Sequence, residues 1–353
     1  MQYPAIIMDR SKIVHNTKVL LEMASKQGIK IAAVTKVLCA WSELAEAVIE
    51  GGAYALADSR IENLKKLKAF NVPKVLLRIP MLSQVADVVQ YADISLNSEI
   101  EVIKALNEAA KAKGKVHQIV LMVDLGDLRE GVWFEKAAEF AGEIIKLENI
   151  KLIGLGTNLT CYGGVIPSTE NLGTLVKIAE EIEDKYAIKL EIISGGNSSS
   201  IHLLQNNQMP VRVNELRLGE AIVLGTESAY GQRIESTYAD AFTFATEIIE
   251  LKEKPSAPIG EIGRDAFGGK PVFVDNGIIK RAIVAAGRQD IKHDGLTPRD
   301  KGISILGASS DHMILDITNA EGEYKVGDVV EFDVSYGALL GASTSEYVNK
   351  IVK

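Results

Sequence analysis

The chain has 353 residues, of which 47% are hydrophobic and 24% charged, a composition typical of a globular protein with one large domain or two. Its net charge of −8 argues against a nucleic acid or an anionic membrane as partner. No apolar stretch is long enough to span a bilayer, and the N-terminus lacks a signal-peptide pattern. Two cysteines provide neither a disulfide framework nor a metal cluster, so we expect a cytoplasmic protein without a metal.

Apolar runs and helical patterns alternate along the first two-thirds of the chain. The predicted strands cover residues 30–36, 53–57, 74–78, 93–96, 117–124, 151–157, 189–194 and 215–218. Helical patterns between them cover residues 41–50, 83–91, 98–113, 134–147 and 169–186. Such alternation predicts parallel strands joined by helices, and eight units favour a closed (β/α)8 TIM barrel over a doubly wound sheet.

The pattern changes after about residue 225. Predicted strands at 241–250, 271–274, 280–285, 303–306, 313–317 and 328–334 follow one another without a long amphipathic helix between them. Turns such as Asp275-Asn276-Gly277 separate them, which is typical of hairpins. We therefore predict an α/β barrel domain over residues 1–230 and a C-terminal all-β domain over residues 231–353.

Lys36 is unusual because it closes an apolar strand. It follows Ile31-Ala32-Ala33-Val34-Thr35 and precedes small or apolar residues. Burial favours the neutral form of the amine, which can form a Schiff base. At the carboxyl end of a barrel strand, such a lysine suggests an enzyme that uses pyridoxal phosphate. A strand-end lysine that extends its ammonium into water is the alternative.

Polar side chains follow the other predicted strands as well. They are Asp58, Arg78, Asn97, the run 124–129, Thr157, Asn158, the run 194–200 and Arg217. Because reactive groups of a barrel gather at the carboxyl ends of its strands, these residues together indicate a site. The run from Ser194 to Ser200 predicts an anion cradle, since glycines let backbone N–H groups approach a phosphate and hydroxyls add donors. An ordinary polar loop is the alternative.

Arg217 bears on the chemistry of this site. Its run could place the guanidinium inside the barrel mouth and the amides of Gly219 and Glu220 beside the same phosphate. A surface salt bridge with Glu215 or Glu220 is the alternative. An arginine keeps its proton up to a pH of about 12, so it would leave the ring nitrogen of the cofactor unprotonated. This favours removal and return of a proton at the α-carbon, which is what racemisation requires.

Seven segments carry a resemblance to a known family. They are Ala33-Val34-Thr35-Lys36 and the segments 123–131, 156–164, 194–199, 216–220, 287–290 and 306–312. Over essentially its whole length the chain resembles the fold-type III pyridoxal phosphate enzymes of the alanine racemase superfamily. Within that superfamily it is similar to the ornithine racemase branch (alanine/ornithine racemase family), of which the last two segments are distinctive.

The resemblance implies an activity. The chain would be a pyridoxal phosphate-dependent racemase that interconverts L- and D-amino acids by removing and returning the α-proton, with ornithine or another basic amino acid as substrate. A racemase of broad or different specificity, for alanine, serine or lysine, is one alternative. A decarboxylase of the same fold and a non-catalytic pyridoxal phosphate-binding protein are the others. The resemblance also implies a homodimer in which residues 287–312 of one chain complete the site of its partner.

The resemblance further implies roles for individual residues. Lys36 would form the Schiff base and act as the base on one face of the substrate. Arg129 would contact the cofactor and the substrate carboxylate. The other implied cofactor contacts are Asn158 beside the ring, Asn197, Ser198, Gly219 and Glu220 at the phosphate, and Arg217 at the ring nitrogen.

The acid/base on the opposite face is open, because the chain departs from alanine racemase there. In alanine racemases the acid/base on this face is a tyrosine. Arg288 aligns with that tyrosine, and an arginine would be a poor base. We predict that Arg288 and Asp311 position the substrate while Cys161 or His312 handles the proton. The structural alternatives are a small buried cysteine and a hydrogen-bonded histidine at the start of a strand.

Two further features depend on the resemblance. Met122 replaces a lysine that is carbamylated in many alanine racemases. A diamino acid would also need an acceptor for its distal ammonium, and Glu261, Asp265, Asp240 and Glu227 are the acidic candidates near the domain junction. Surface carboxylates are the alternative for each of them.

Overall fold

The computed structural model describes residues 2–353, which form two compact units. One unit, the barrel domain, spans Arg10–Ala239. The other, the β domain, spans Asp240–Lys353 and includes the N-terminal segment through Asp9 with strand β1 (Ala5–Met8). The division after Ala239 lies beyond the predicted boundary at residue 230. The early residues belong to the β domain because β1 pairs with strands formed much later in the chain.

The barrel domain is built on a closed sheet of eight parallel strands. These are β2 (Lys30–Val34), β3 (Ala55–Asp58), β4 (Lys74–Leu76), β5 (Ile94–Asn97), β6 (His117–Asp124), β8 (Ile150–Gly156), β9 (Ile192–Ser194) and β10 (Glu215–Leu218). A short strand, β7 (Val132–Trp133), extends the end of β6. The strand order is β5-β4-β3-β2-β10-β9-β8-β6, and pairing of β5 with β6 closes the barrel. The predicted TIM barrel and its eight strands are confirmed.

Helices connect the strands around the barrel. They are α1 (Arg10–Ser25), α2 (Ser42–Glu50), α3 (Ile61–Lys66), α4 (Val85–Tyr91), α5 (Ile100–Ala112), α6 (Ala137–Ile144), α7 (Thr169–Tyr186), α8 (Ile201–Gln205) and α9 (Glu220–Leu224). The five predicted helical segments correspond to α2, α4, α5, α6 and α7. Helix α1 was not predicted, because the polar side chains of Asn16 and Thr17 are buried in it among the apolar ones and obscure its apolar face.

Apolar side chains fill the interior of the barrel. The central cluster contains Ala32, Val34, Ala55, Ala57, Val75, Ile94, Leu96, Val120, Met122 and Ile153. Three of them are alanines, which leave room for larger neighbours from adjacent strands. Met122 is fully buried in this cluster, at the position where the resemblance led us to expect a lysine in other family members. The packed interior confines chemistry to the ends of the barrel.

The β domain contains an eight-stranded, mainly antiparallel sheet. Besides β1 it consists of β11 (Phe242–Pro255), β12 (Ile278–Val284), β13 (Leu296–Pro298), β14 (Ser304–Ala308), β15 (Met313–Asp316), β16 (Val329–Val334) and β17 (Asn349–Val352), with one helix, α10 (Tyr336–Thr344). The order is β13-β16-β11-β12-β15-β14, and β1 pairs with both β11 and β17. The predicted all-β character of this domain is confirmed.

One predicted strand of the β domain is wrong. Residues 271–274 form no strand, although their apolar side chains suggested one. Val272 is 92% exposed and Val274 is 73% exposed, so the segment pairs with no neighbour and faces water. Apolar β-branched residues predict a strand only where a partner strand can satisfy their backbone groups. Across residues 2–353, no helix is both long and apolar enough to cross a membrane.

Candidate active site

Lys36 lies at the carboxyl end of β2, where a buried carboxylate fixes the backbone before it. The residue starts a short 3₁₀ turn, Lys36–Leu38, and its side chain is half-buried rather than fully buried as the sequence suggested. Thr35 donates its hydroxyl to Asp58 over 2.8 Å. Asp58 also accepts from the backbone of Arg60 and from Asn63, each over 3.0 Å. Burial raises the pKa of Asp58, and these hydrogen bonds oppose that shift.

Arg217 lies on β10 with its guanidinium inside the barrel. Its exposed fraction is 4%, so the alternative of a surface salt bridge is wrong. One Nη atom donates to the carbonyl oxygen of Thr157 over 2.6 Å, and the other donates to the hydroxyl of Ser194. A Cβ at Gly156 would lie 3.4 Å from Nη1 of Arg217, so the glycine leaves space for the guanidinium. Burial lowers the pKa of Arg217.

The serine-rich run forms a tight turn at the end of β9. Asn197 accepts from the backbone N–H of Ser199 over 2.7 Å and begins the 3₁₀ turn Ser198–Ser200. Gly196 has φ +106°, a left-handed conformation that favours glycine. The hydroxyl of Ser198 accepts from the backbone N–H of Ala221 over 3.1 Å. This bond brings the serine turn and the start of α9 together, as the predicted anion cradle requires.

A polar cluster joins the ends of β8 and β9. Asn197 donates its side-chain amide to the carbonyl oxygen of Leu159 over 3.1 Å and to the sulfur of Cys161 over 3.4 Å. The terminal amide of Asn158 lies 3.0 Å from Nδ2 of Asn197 and 3.2 Å from Nη2 of Arg129. The barrel domain therefore brings together four predicted site residues in direct contact. Cys161 is exposed, so its alternative as a buried filler is wrong.

Asp127 holds the loop that carries Cys161. It is 1% exposed, and its carboxylate accepts backbone N–H groups from Thr160, Tyr162 and Val165 over 2.9, 3.1 and 3.1 Å. Thr160 has φ +74°, a strained conformation that this carboxylate stabilises. Arg129 forms an ion pair with its sequence neighbour Glu130.

The predicted residues of the β domain form a second cluster. Backbone N–H groups of Arg288 and Gln289 donate to the carbonyl oxygens of Ser309 and Ser310 over 2.9 and 3.0 Å. Gln289 and Ser310 donate to the carboxylate of Asp311 over 2.9 and 2.8 Å. These two hydrogen bonds lower the pKa of Asp311, which is exposed and stays ionised. The 287–290 and 309–312 turns are thus held as one element.

Arg288 and His312 lie on the surface of this element. The guanidinium of Arg288 stacks 4.0 Å from the ring centroid of Phe267 and donates Nε to the carbonyl oxygen of Ala308 over 3.0 Å. His312 is exposed, and its backbone, which exchanges hydrogen bonds with Ser309, fixes its place before β15.

The acidic candidates for a distal ammonium differ in their surroundings. Glu227 is 1% exposed and accepts backbone N–H groups of Ala229, Tyr230 and Gln232, so it anchors a loop. Asp265 accepts from the backbone of Phe267 and Gly269 and caps a turn. Glu261 is exposed, as the alternative reading expected.

Comparison with known proteins places the chain in a family. The model of the family described as "Alanine racemase, N-terminal domain" matches residues 8–227 of the chain. The chain is 51% identical over 349 residues to an ornithine racemase of Acetoanaerobium sticklandii, with 99% of both chains covered. The chain belongs to the alanine racemase family. The family predicted from the sequence is confirmed.

Other members of the alanine racemase family agree with this assignment. The chain is 43% identical over 353 residues to a lysine racemase of Thermotoga maritima, which covers 99% of both chains. A crystal structure of alanine racemase from Bartonella henselae with covalently bound pyridoxal phosphate superposes with a TM-score of 0.75 at 18% identity. It covers 99% of each chain, so the two-domain fold is shared from end to end.

The barrel mouth fits pyridoxal phosphate. Lys36 offers an amine at a strand end, and Arg217 offers a buried cation at the end of a nearby strand. In residues 2–353, the hydroxyls of Thr157 and Ser199 are buried without a hydrogen-bond partner, as expected of donors that await a ligand. These features match the amine, cation and hydroxyl donors that the predicted roles require.

Several residues that shape the site were given no role from the sequence. Asp58 and Thr157 were named only as polar strand-end residues, and Asp127 and Ser194 only as members of polar runs. Three of them contact a predicted site residue or its neighbour. Asp58 accepts a hydrogen bond from Thr35, next to Lys36, and Ser194 and Thr157 accept hydrogen bonds from Arg217. The sequence signal was the position of each at or just after the end of a strand, which does not reveal its partner.

Proposed function

We propose that the protein is a pyridoxal phosphate-dependent amino acid racemase that interconverts the enantiomers of a basic amino acid, with ornithine as the preferred substrate. The observation that carries the reaction type is Arg217, a cation buried in the barrel and held by Thr157 and Ser194. The full-length similarity to an ornithine racemase and a lysine racemase supports a basic substrate.

Bound pyridoxal phosphate supplies an electron sink that makes the α-proton of an amino acid removable. Lys36 is the side chain that would hold the cofactor and take the α-proton on its face. The serine turn and the amides of Gly219 and Glu220 would hold the phosphate, since the bond from Ala221 to Ser198 draws both segments together. Asn158 and Arg129 would bind beside them, where Arg129 can meet a substrate carboxylate.

A pyridoxal phosphate enzyme can catalyse several reactions at the α-carbon, and Arg217 would influence which of them takes place. A guanidinium does not release its proton at physiological pH, so Arg217 can hydrogen-bond to a ring nitrogen without protonating it. With its ring nitrogen unprotonated, the bound cofactor would supply a weaker electron sink, which would favour return of the α-proton over other reactions. Decarboxylases of this fold place a glutamate at the ring nitrogen, and a buried arginine argues against that alternative. The β domain argues against the single-barrel binding proteins, which lack it.

The second acid/base and the substrate contacts stay proposals. We assign the proton on the opposite face to Cys161 or His312, and substrate positioning to Arg288 and Asp311. Arg288 already stacks on Phe267 and donates to a carbonyl oxygen, which suits a positioning cation better than a base. Asp311 stays ionised and could accept an ammonium.

We also propose a homodimer in which the 287–312 turns serve the partner's site. Exposed apolar side chains in the β domain support it, since Ile259 and Val272 are each 92% exposed. A cytoplasmic location remains a proposal that rests on the low cysteine content, two in 353 residues.

The experiment that tests the function is an assay of the purified protein with added pyridoxal phosphate. Optical rotation is followed with L-ornithine, L-lysine, L-alanine and L-serine, and with D-ornithine for the reverse reaction. We expect kcat/KM for ornithine to exceed that for alanine by about tenfold or more. Turnover of none of these amino acids would contradict a racemase, and a preference for alanine would contradict a basic substrate.

Isotope exchange in D2O assigns the second acid/base. Cys161→Ser and His312→Asn are each incubated separately with L-ornithine and with D-ornithine, and deuterium at the α-carbon is measured by NMR. The variant that loses exchange with one enantiomer and keeps it with the other identifies the base, because each base serves one face. If both variants exchange both enantiomers at the wild-type rate, neither residue is the base.

A further inference from the structure

A line of buried hydrogen bonds runs from Arg217 toward the amino-terminal end of the barrel. Arg217 donates to the hydroxyl of Ser194, and that hydroxyl donates to Oε1 of Glu215 over 2.6 Å. The other carboxylate oxygen, Oε2, accepts from the hydroxyl of Tyr54. Ser194 is fully buried and Glu215 is 5% exposed. The proposed reaction assigns a role to Arg217 but none to the carboxylate of Glu215.

The barrel geometry explains how these groups meet. Glu215 and Arg217 are two residues apart on β10, so their side chains point to the same face of the sheet, into the barrel. Ser194 lies opposite Glu215 in the parallel pairing of β9 with β10. The small serine side chain leaves a gap between the two charged groups, and its hydroxyl spans that gap with one bond to each.

Glu215 supplies the negative charge that a buried guanidinium needs. Burial lowers the pKa of Arg217, and the carboxylate of Glu215 is the strongest influence that raises it again. A buried cation without a counter-charge is costly. Contact through Ser194, rather than a direct ion pair, leaves other N–H groups of the guanidinium available, since Arg217 has five and its named partners are Ser194 and Thr157.

Tyr54 completes the other end of the line. Burial and the neighbouring carboxylate of Glu215 raise the pKa of Tyr54, so its hydroxyl remains a donor at physiological pH. Beyond it lies a cavity of about 220 Å³ at the amino-terminal end of the barrel, lined by Lys30, Tyr54, Glu191 and Glu215 among others. Tyr54 thus binds the carboxylate where it borders the cavity.

We propose that Glu215 is a positioning residue for the reaction, which acts through Ser194 to hold the guanidinium of Arg217 in the orientation that the ring nitrogen of the cofactor requires. This inference rests on the proposed function. Glu215 touches neither substrate nor cofactor, and its effect reaches the ring nitrogen only through the guanidinium. Tyr54 holds Glu215 in turn.

The test combines kinetics with a direct readout of the ring nitrogen. Wild type, Glu215→Gln and the control Glu191→Gln are loaded with pyridoxal phosphate labelled with nitrogen-15 in the ring. Glu191 lines the same cavity but pairs with Lys151 at the surface, so its variant makes the same charge change away from the line. We expect Glu215→Gln to shift the ring-nitrogen signal and to lower kcat about tenfold with little change in KM. Glu191→Gln should match wild type in both.

Two further variants keep the test decisive. If Glu215→Gln does not fold, Ser194→Ala replaces it, because this change breaks the line but leaves both charges in place. It should move the ring-nitrogen signal in the same direction by a smaller amount. Tyr54→Phe retains the carboxylate and should move the signal less than Ser194→Ala does.

The outcomes separate this inference from the proposed function. A folded Glu215→Gln or Ser194→Ala enzyme with a wild-type ring-nitrogen signal and wild-type kcat would overturn the role of Glu215. In that case a wild-type enzyme that binds the cofactor and racemises ornithine would still support the proposed function. A wild-type chain that binds no pyridoxal phosphate would instead overturn the proposed function itself.

Discussion

The barrel mouth and the 287–312 turns of the β domain hold their site residues in different ways. In the barrel, buried side chains fix the predicted residues: Asp58 acts through Thr35 next to Lys36, and Ser194 binds Arg217. In the β domain, backbone hydrogen bonds fix the turns, while the side chains of Arg288, Asp311 and His312 lie exposed.

This difference suggests a division of labour. Side chains that are locked by buried partners have a geometry set by the folding of their own domain, as a cofactor site requires. The exposed side chains of the β domain are held by hydrogen bonds and a ring contact at the surface, where water competes, so a substrate or a second subunit can displace them more easily on binding. The barrel residues should therefore tolerate substitution less well than those of the β domain, and the following predictions test that.

The largest effect is expected at Lys36. Lys36→Ala removes the amine that would hold the cofactor and take the proton, so kcat should fall by about a thousandfold or more. Racemisation of ornithine measures it, and borohydride reduction followed by peptide mapping should fix the cofactor to a Lys36 peptide in wild type only. Lys26→Ala, at an exposed lysine in the turn after α1, is the control. Cofactor fixed to another lysine in wild type would contradict the assignment.

A smaller effect concerns the pH dependence of barrel stability. His117 is buried, contacts the hydroxyl of Ser95 over 2.8 Å, and has its pKa lowered by burial to about 4. Below pH 6.5 the unfolded chain binds a proton that the folded chain does not. The free energy of unfolding should thus fall by about 3 kcal/mol from this residue between pH 7 and 4.

Urea unfolding at several pH values measures this loss. His117→Gln keeps a partner for Ser95 but cannot titrate, so its stability should decline less steeply toward acid than that of wild type. His15→Gln, at an exposed histidine of the same domain, controls for the replacement of a histidine by glutamine as such. If the free energy of unfolding depends on pH in the same way for wild type and His117→Gln, burial of His117 does not cause the loss of stability in acid.

The next prediction addresses the rigid backbone of the β domain. A Cβ at Gly287 would lie 2.2 Å from the carbonyl oxygen of Ser310, so the two turns could not keep their contact. Gly287→Ala should lower the free energy of unfolding by about 2 kcal/mol. Gly263→Ala, in open space in the same domain, is the matched control and should be neutral in thermal unfolding. If both variants unfold at the same temperature, the two turns can deform to accept the Cβ more readily than their hydrogen bonds indicate.

The smallest effect is expected in the loop that carries Cys161. Asp127→Asn keeps one acceptor oxygen of the two and should weaken the loop by about 1 kcal/mol. Hydrogen exchange at the amides of Thr160, Tyr162 and Val165 should then become about fivefold faster. Asp184→Asn on the surface of α7 serves as control. Unchanged exchange at these amides would show that the loop is held by other contacts.

Much of the fold was predictable because parallel strands buried on both faces form continuous apolar runs. The eight barrel strands follow from those runs, and Lys36 and Arg217 follow from their places in them. Strand β1 was missed, since its partners Phe242–Ala245 and Asn349–Val352 are distant in sequence. Residues 271–274 were assigned wrongly because composition alone does not reveal whether a partner strand exists.

The interior of the site was harder to predict than its rim. The strand-end residues are visible in sequence as polar residues that follow apolar runs. The link from Arg217 through Ser194 to Glu215 and Tyr54 depends on barrel closure, which brings together strands that are far apart in the chain. Glu215 has the sequence appearance of an ordinary polar residue at the start of a strand, and only its burial distinguishes it.

Strand β1 has a consequence for how the protein is made. Met8 pairs with Val352, so β1 waits during synthesis for a strand that is made more than 300 residues after it. At ordinary elongation rates that wait lasts tens of seconds, during which the whole barrel domain can fold. The chain must keep an apolar strand of Ala5, Ile6 and Met8, all of which become fully buried, from pairing wrongly in the meantime. Synthesis of the β17 segment is therefore the event that completes the sheet of the β domain.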